Sequence, residues 1–190
     1  MADITKHALA SSLVDLLRQK RLDRITIQEI VDGASVNRQT FYYHFADIFD
    51  LARYMVMDRY SRALKEAGVK GNFFTIPSLE TFIKLVYSNK TVTLNIYKGM
   101  DECHMKRALH EMLDSDIESE VRRLSSGRLS DSDIKFAVAF FSSGYYGIFL
   151  EWINDDLDEV HGKRMLSMLS VLEESLELLV EKLFEKRQMS

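Results

Sequence analysis

Apolar side chains recur along most of this chain at the three- and four-residue spacing of a helix. Over 3–20 the stripe is Ile4, Leu9, Leu13, Leu16 and Leu17, with Ala8 and Ala10 beside it, the buried face of an amphipathic helix. The polar run 18–24 ends it. Thr26-Ile27-Gln28-Glu29 has the form of a capping box: the threonine oxygen accepts from the N3 amide and the glutamate reaches back to the cap. A short helix over 27–33 follows, with Ile27, Ile30 and Val31 on its apolar face. Ala34-Ser35-Val36 reads as a turn, and Asn37 as the N-cap of a helix over 37–45 whose Phe41 and Phe45, four apart, face inward. Asp47 caps a fourth helix over 48–67, and 68–72 is a linker. The pattern then predicts helices over 77–88, 91–99, 101–124, 133–154 and 163–185, with a polar loop over 154–162.

One proline and eight glycines in 190 residues leave these helices uninterrupted, so the expected fold is all-α. A 46% hydrophobic share supplies a packed core and excludes disorder on composition. The single cysteine, Cys103, cannot close an internal disulfide and suits a reducing compartment. The first residues carry no apolar signal-peptide region. No apolar stretch is expected to reach the roughly 20 residues of a bilayer span, because the longest, 136–153, is interrupted by Ser142, Ser143, Gly144, Gly147 and Glu151. The reading is a cytoplasmic protein with no membrane partner. The net charge of −4 is uneven: residues 1–45 hold six basic and five acidic groups, a balance of +1, which leaves −5 for the rest. That permits nucleic-acid binding at the N-terminal end without demonstrating it.

Two short helices joined by a turn of three residues, behind a longer first helix, have the spacing of a helix-turn-helix. In that unit the second helix of the pair enters the major groove and the first braces it across the backbone. On 37–45, Arg38 suits guanine, Gln39 suits adenine, and Thr40 offers a hydroxyl and a methyl. Tyr42, Tyr43 and His44 reach phosphates from the flank. Thr26 and Gln28 on the bracing helix and Asn37 at the cap complete the candidate DNA-binding set. Taken on spacing alone, 25–45 is also an ordinary helical hairpin, with Arg38, Gln39 and Tyr43 as plain surface.

The stretch 25–45, ITIQEIVDGASVNRQTFYYHF, resembles the DNA-binding module of TetR-family regulators, including the Thr-Phe-Tyr-Tyr-His-Phe ending at 40–45. The resemblance covers about 45 residues, a quarter of the chain. It implies an N-terminal three-helix DNA-binding domain over 1–47 and a helical ligand-binding and dimerisation domain over 48–190. It also implies double-stranded operator DNA and a second copy of the chain as partners, a small-molecule effector, and repression as the commoner mode. The segment 140–152 is similar to the penultimate helix of a branch that includes regulators linked to dihydroxyacetone kinase operons. Two positions depart from the family pattern: Ser35 stands where the turn usually has glycine, and Ile48 where the fourth helix usually starts with a phosphate-binding lysine.

In the last helix Met165, Leu169, Leu172, Leu176 and Leu179 alternate at steps of four and three, an a/d seam. With Phe140, Gly144, Gly147 and Trp152 of the preceding helix it is expected to pair with its copy as a four-helix bundle; the competing reading is packing within the chain. The small residues at 142–144 and 147 leave room for a ligand, which Tyr87, Tyr97, Met100, Met105, Phe141 and Tyr145 could line; the competing reading makes each of them core. Cys103, His104 and His110 do not have metal-ligand spacing: His110 lies two turns from Cys103, roughly 10 Å along a helix. No metal or cofactor is expected. No phosphate loop or catalytic elbow is present, so the reading is not an enzyme. The main alternative to a regulator is a helical adaptor that keeps the fold without binding DNA.

Overall fold

The structure is a computed structural model that describes residues 2–69 and 75–188. Among these the chain is helical and has no strand. The helices are α1 (Ala2–Leu17), α2 (Ile27–Gly33), α3 (Arg38–His44), α4 (Ile48–Glu66), α5 (Ile76–Ser88), α6 (Lys90–Tyr97), α7 (Glu102–Ser125), α8 (Asp131–Asn154) and α9 (Glu159–Gln188), with a 3-10 turn at Leu22–Arg24. Of the linker expected over 68–72, Gly68 and Val69 are described and 70–72 lie outside the described residues.

Local chemistry sets the boundaries. The capping box at Thr26 forms in full, Asn37 caps α3, Asp47 caps α4, and Asp101 caps α7. Ser130 and Asp133 make a second capping box at the head of α8. Each such cap satisfies amide groups that the helix itself leaves unpaired. The loop before α9 is shorter than the polar pattern suggests. The Asp158 carboxylate accepts the His161 N–H at 3.0 Å, so α9 starts at Glu159 rather than near Lys163.

A single apolar core runs through the molecule. At one end Leu9, Leu13 and Leu17 of α1 meet Ile30 and Val31 of α2, Phe41 of α3 and Leu51 of α4, all essentially sealed from solvent. At the other, α7 lies along α8 and α8 along α9, with α5 against α4 and α9. By length and composition α8 is apolar enough to cross a membrane, which corrects the expectation that no segment is. In this fold one side of it lies in the core: Ile134, Ala137, Phe141, Tyr145, Trp152 and Ile153 are buried.

Trp152 is fully buried, and its indole N–H donates to the Asp158 carbonyl at 2.9 Å. The start of α9 crosses its ring at Gly162, where a Cβ would lie 3.2 Å from Nε1. Trp152 therefore locks the α8–α9 corner within one protomer and is not available to a partner. The same correction applies to Met165, Leu169 and Leu176. The a/d seam of α9 faces helices of its own chain, because α5, α7 and α8 cover that side.

Candidate nucleic-acid interface

The first three helices form a tightly held head. The Ser12 hydroxyl of α1 donates to the Ile30 carbonyl of α2 at 2.9 Å. At Gly33 a Cβ would sit 2.3 Å from that hydroxyl oxygen, so the end of α2 rests directly on α1. The turn closes with the Val36 N–H on the Val31 carbonyl at 3.0 Å and Ser35 at φ 53°. Serine thus occupies the left-handed conformation that glycine adopts without steric cost. Phe41 and Phe45 anchor α3 from beneath; burial of each side chain stabilises by about 1.5–3 kcal/mol.

The outer face of α3 is open. Arg38 and Gln39 are exposed and make no hydrogen bond or ion pair among the described residues. Tyr43 is 82% exposed and meets the partly buried His44 edge-on at 4.9 Å, while Tyr42 is exposed and leans edge-on against Phe41. The remaining candidates have local duties. Asn37 Oδ1 accepts both the Thr40 N–H at 2.8 Å and the Thr40 hydroxyl at 3.0 Å, leaving the Asn37 amide nitrogen outward. Thr26 is engaged with Glu29, and the Gln28 amide nitrogen donates to Asp32 at 2.8 Å.

Charge around this face is largely internally compensated. Arg18 pairs with Asp15, Lys20 with Glu29, and Arg21 and Arg24 with Asp23. The hydrogen bond from Lys20, with those from Thr26, holds the Glu29 carboxyl at about 2, well below its ordinary 4.5. Lys6 lies over the Tyr54 ring, 5.6 Å from its centroid. Arg38 is left as the cation in 1–45 with neither an acidic nor an aromatic partner among the described residues. The first turn of α4 carries Asp47 and Asp50, both turned back onto local amides. Ile48, in place of a lysine, packs against the core.

Behind the head, an apolar cavity of about 90 Å³ lies between α4, α5, α6, α7 and α8. Met100 and Met105 line it, as the sequence suggests, but most of its wall comes from residues the sequence did not single out, among them Val56, Phe82, Ile96, Leu109 and Phe149. Tyr145 lines a smaller adjoining space of about 30 Å³ that shares Phe82, Leu109 and Phe149. Three expected residues line neither space. Tyr87 points to solvent, Phe141 is sealed in the core, and Tyr97 donates to Asn154 at 2.7 Å.

Two residues missed from sequence join this body to the head. The Asn95 amide on α6 donates to the Leu17 carbonyl at 2.8 Å, closing the end of α1. Gly99, just after α6, meets the 3-10 turn so closely that a Cβ would lie 2.6 Å from the backbone nitrogens of Leu22 and Asp23. In sequence Gly99 reads as a helix end and Asn95 as a polar residue within the helix, and nothing more.

On the outer side of α8 and α9, Phe136, Phe140, Val171 and Leu178 are each more than half exposed, and Phe136 stacks on Phe140. Gly147 opens onto empty space, while Gly144 touches Leu172 of α9. Of the expected pairing set, Phe140 and Gly147 are exposed, and Gly144, Leu172 and Leu179 are partly buried. Cys103 is exposed, His104 stacks on Phe49 at 4.2 Å, and His110 lies 3.3 Å from Asp114.

Three short-coupled helices, the third with an open outer face, set on a helical body have the arrangement of a helix-turn-helix. A TetR-type family model described as the C-terminal region of transcriptional regulators matches residues 75–184. The match covers more than half of the chain, which belongs to this family of transcriptional regulators. No curated protein matches. Among solved structures the chain is similar to one titled dihydroxyacetone kinase operon activator DhaS, with 14% identity, 97% of each chain covered and a TM-score of 0.49.

Proposed function

We propose that this regulator acts in the cytoplasm as a homodimer that reads a near-palindromic operator with α3 and is tuned by a small, mainly apolar effector. The observation that carries the reading is the face of Arg38, Gln39 and Tyr43: open, with Arg38 and Gln39 unpaired among the described residues, and mounted on a helix pinned by Phe41 and Phe45. Residues 1–47 serve as the reading head and 48–190 as the sensing and pairing body. Two heads on a two-fold axis meet successive major grooves about 34–36 Å apart. Arg38 takes guanine, Gln39 takes adenine, and the tyrosines and the outward Asn37 amide hold phosphates. Repression is the simplest outcome, because an occupied operator excludes polymerase with no further contact.

The exposed Phe136 and Phe140 of α8, stacked on each other, and the exposed Val171 and Leu178 of α9 support pairing through these two helices, since exposed apolar patches mark interaction sites. The cavity supports an effector. Its roughly 90 Å³ is smaller than the ~150 Å³ that admits benzene, so a ligand must displace wall residues; Met100, Met105 and Met112 are flexible enough to yield. α4 and α6 both line the cavity and both touch the head. A ligand that prefers one setting of these helices shifts the spacing of the two reading heads by that preference alone.

The paired cations and the acids at the start of α4 favour one rival, an adaptor that keeps the fold without gripping DNA. A salt titration on DNA flanking the gene separates the two. Operator binding weakens steeply with salt as counterions return to the DNA. An adaptor gives no saturable DNA binding even at low salt.

A further inference from the structure

Away from the reading face, a groove of about 400 Å³ runs between α1 and α4. Its floor is apolar, from Ala10, Val14 and Met55, and its rim carries Arg18, Arg59 and Arg62 with Asp15 and Asp58. Three guanidinium groups against two carboxylates leave one excess positive charge. Asp15 accepts from Arg18 at 2.8 Å, and Asp58 accepts from Arg62. Arg59 differs: it is partly buried and forms no ion pair among the described residues, its hydrogen bond going to the neutral Asn89 Oδ1 at 2.6 Å. Its other N–H donors are uncommitted. Burial, then the nearby Arg18 and Arg62, push the Arg59 guanidinium below its ordinary range, with Asp58 opposing.

A partly buried cation that meets only a neutral oxygen keeps an unpaid desolvation cost, and an incoming anion relieves it. The planar fork of a guanidinium matches an oxyanion in two-point geometry. The groove is open, and the Ser11 hydroxyl on its α1 wall adds a donor. DNA is not the anion. Arg59 stands 11 residues beyond Ile48 on α4, about 16 Å along the helix from the end nearest the reading face.

We propose that this groove binds a small oxyanion, the phosphate or carboxylate group of a metabolite, held centrally by Arg59 and flanked by Arg18 and Arg62. The ion ties α1 of the head to α4 and, through Asn89, to the α5–α6 corner. The site is separate from the apolar cavity and stands whether or not the protein binds an operator.

Thermal unfolding tests it on the free protein, without DNA. Inorganic phosphate and succinate, each at 10 mM, are compared with chloride at equal ionic strength. A site with a Kd near 1 mM raises Tm by about 3–5 °C, and whichever anion gives the larger rise identifies the headgroup. Arg59→Gln removes the rise. Arg18→Gln, an exposed change on the opposite wall that leaves the Arg59–Asn89 bond intact, at least halves the rise measured over its own Tm in chloride. This second variant keeps the test decisive even if Arg59→Gln folds poorly. General salting effects stabilise all variants alike. An equal rise in wild type and Arg18→Gln, or no rise over chloride with either anion, overturns the proposal.

Discussion

Replacing Gly99 by alanine tests the contact through which the body bears on the head. The added Cβ would lie 2.6 Å from the backbone nitrogens of both Leu22 and Asp23 and 2.8 Å from Leu22 Cβ. None of these atoms can turn away on a side-chain torsion. To restore ordinary contact near 3.4 Å, the end of α6 and the 3-10 turn must separate by about 0.8 Å. Leu22 is itself sealed in the core, so the shift carries into the packing beneath it. Overpacking of this kind costs about 1–3 kcal/mol; at the middle of that range Tm falls by roughly 4–8 °C for a chain of this length. The assay is thermal unfolding of Gly99→Ala against wild type, with operator affinity measured on the same samples, because displaced α6 also resets the head. A Tm within 1 °C of wild type refutes the close approach, and with it the argument that α6 transmits strain to the reading head.

Ser35→Gly relieves the left-handed strain at φ 53°, worth about 1–2 kcal/mol less the entropy glycine adds to the unfolded chain; a net gain near 1 kcal/mol is expected in urea unfolding. Glu29 is held at about 2 in the folded head, so its contribution is present above its ordinary 4.5 and is lost as pH falls toward 2. Glu29→Gln therefore flattens the acid limb of stability in that window, seen as a smaller loss of Tm between pH 5 and 2. Phe140→Glu and Leu178→Glu place charge on the exposed apolar residues of α8 and α9, and the proposed dimer is expected to give way to folded monomers by sedimentation. Leu176→Glu, on the buried side of the same helix, is expected to unfold the chain instead.

Helix positions were legible in sequence because each carries its own signal, and the caps read at Thr26, Asn37 and Asp47 all form. The inward side of α3 was legible for the same reason: Phe41 and Phe45 fix which side is down. Which apolar residues of α8 and α9 stay uncovered was not. Periodicity marks Leu169 and Leu176 as buried but cannot say whether the cover is the same chain or a copy, and Trp152 is hidden by the shorter loop that Asp158 caps. The cavity was only partly legible because five helices, far apart in sequence, contribute to its wall. Gly99 and Asn95 matter through what lies opposite them, which no local pattern encodes.

The most direct test of the central claim is a footprint of the purified protein on DNA flanking its own gene, at low salt, with wild type and Arg38→Ala side by side. The account predicts one symmetric protected site, with half-sites centred about one helical turn or slightly more apart. Arg38→Ala should cost about 1–3 kcal/mol there and relax preference at a single base position. Absence of any protected site, or protection that Arg38→Ala leaves unchanged, would contradict α3 as the reading helix.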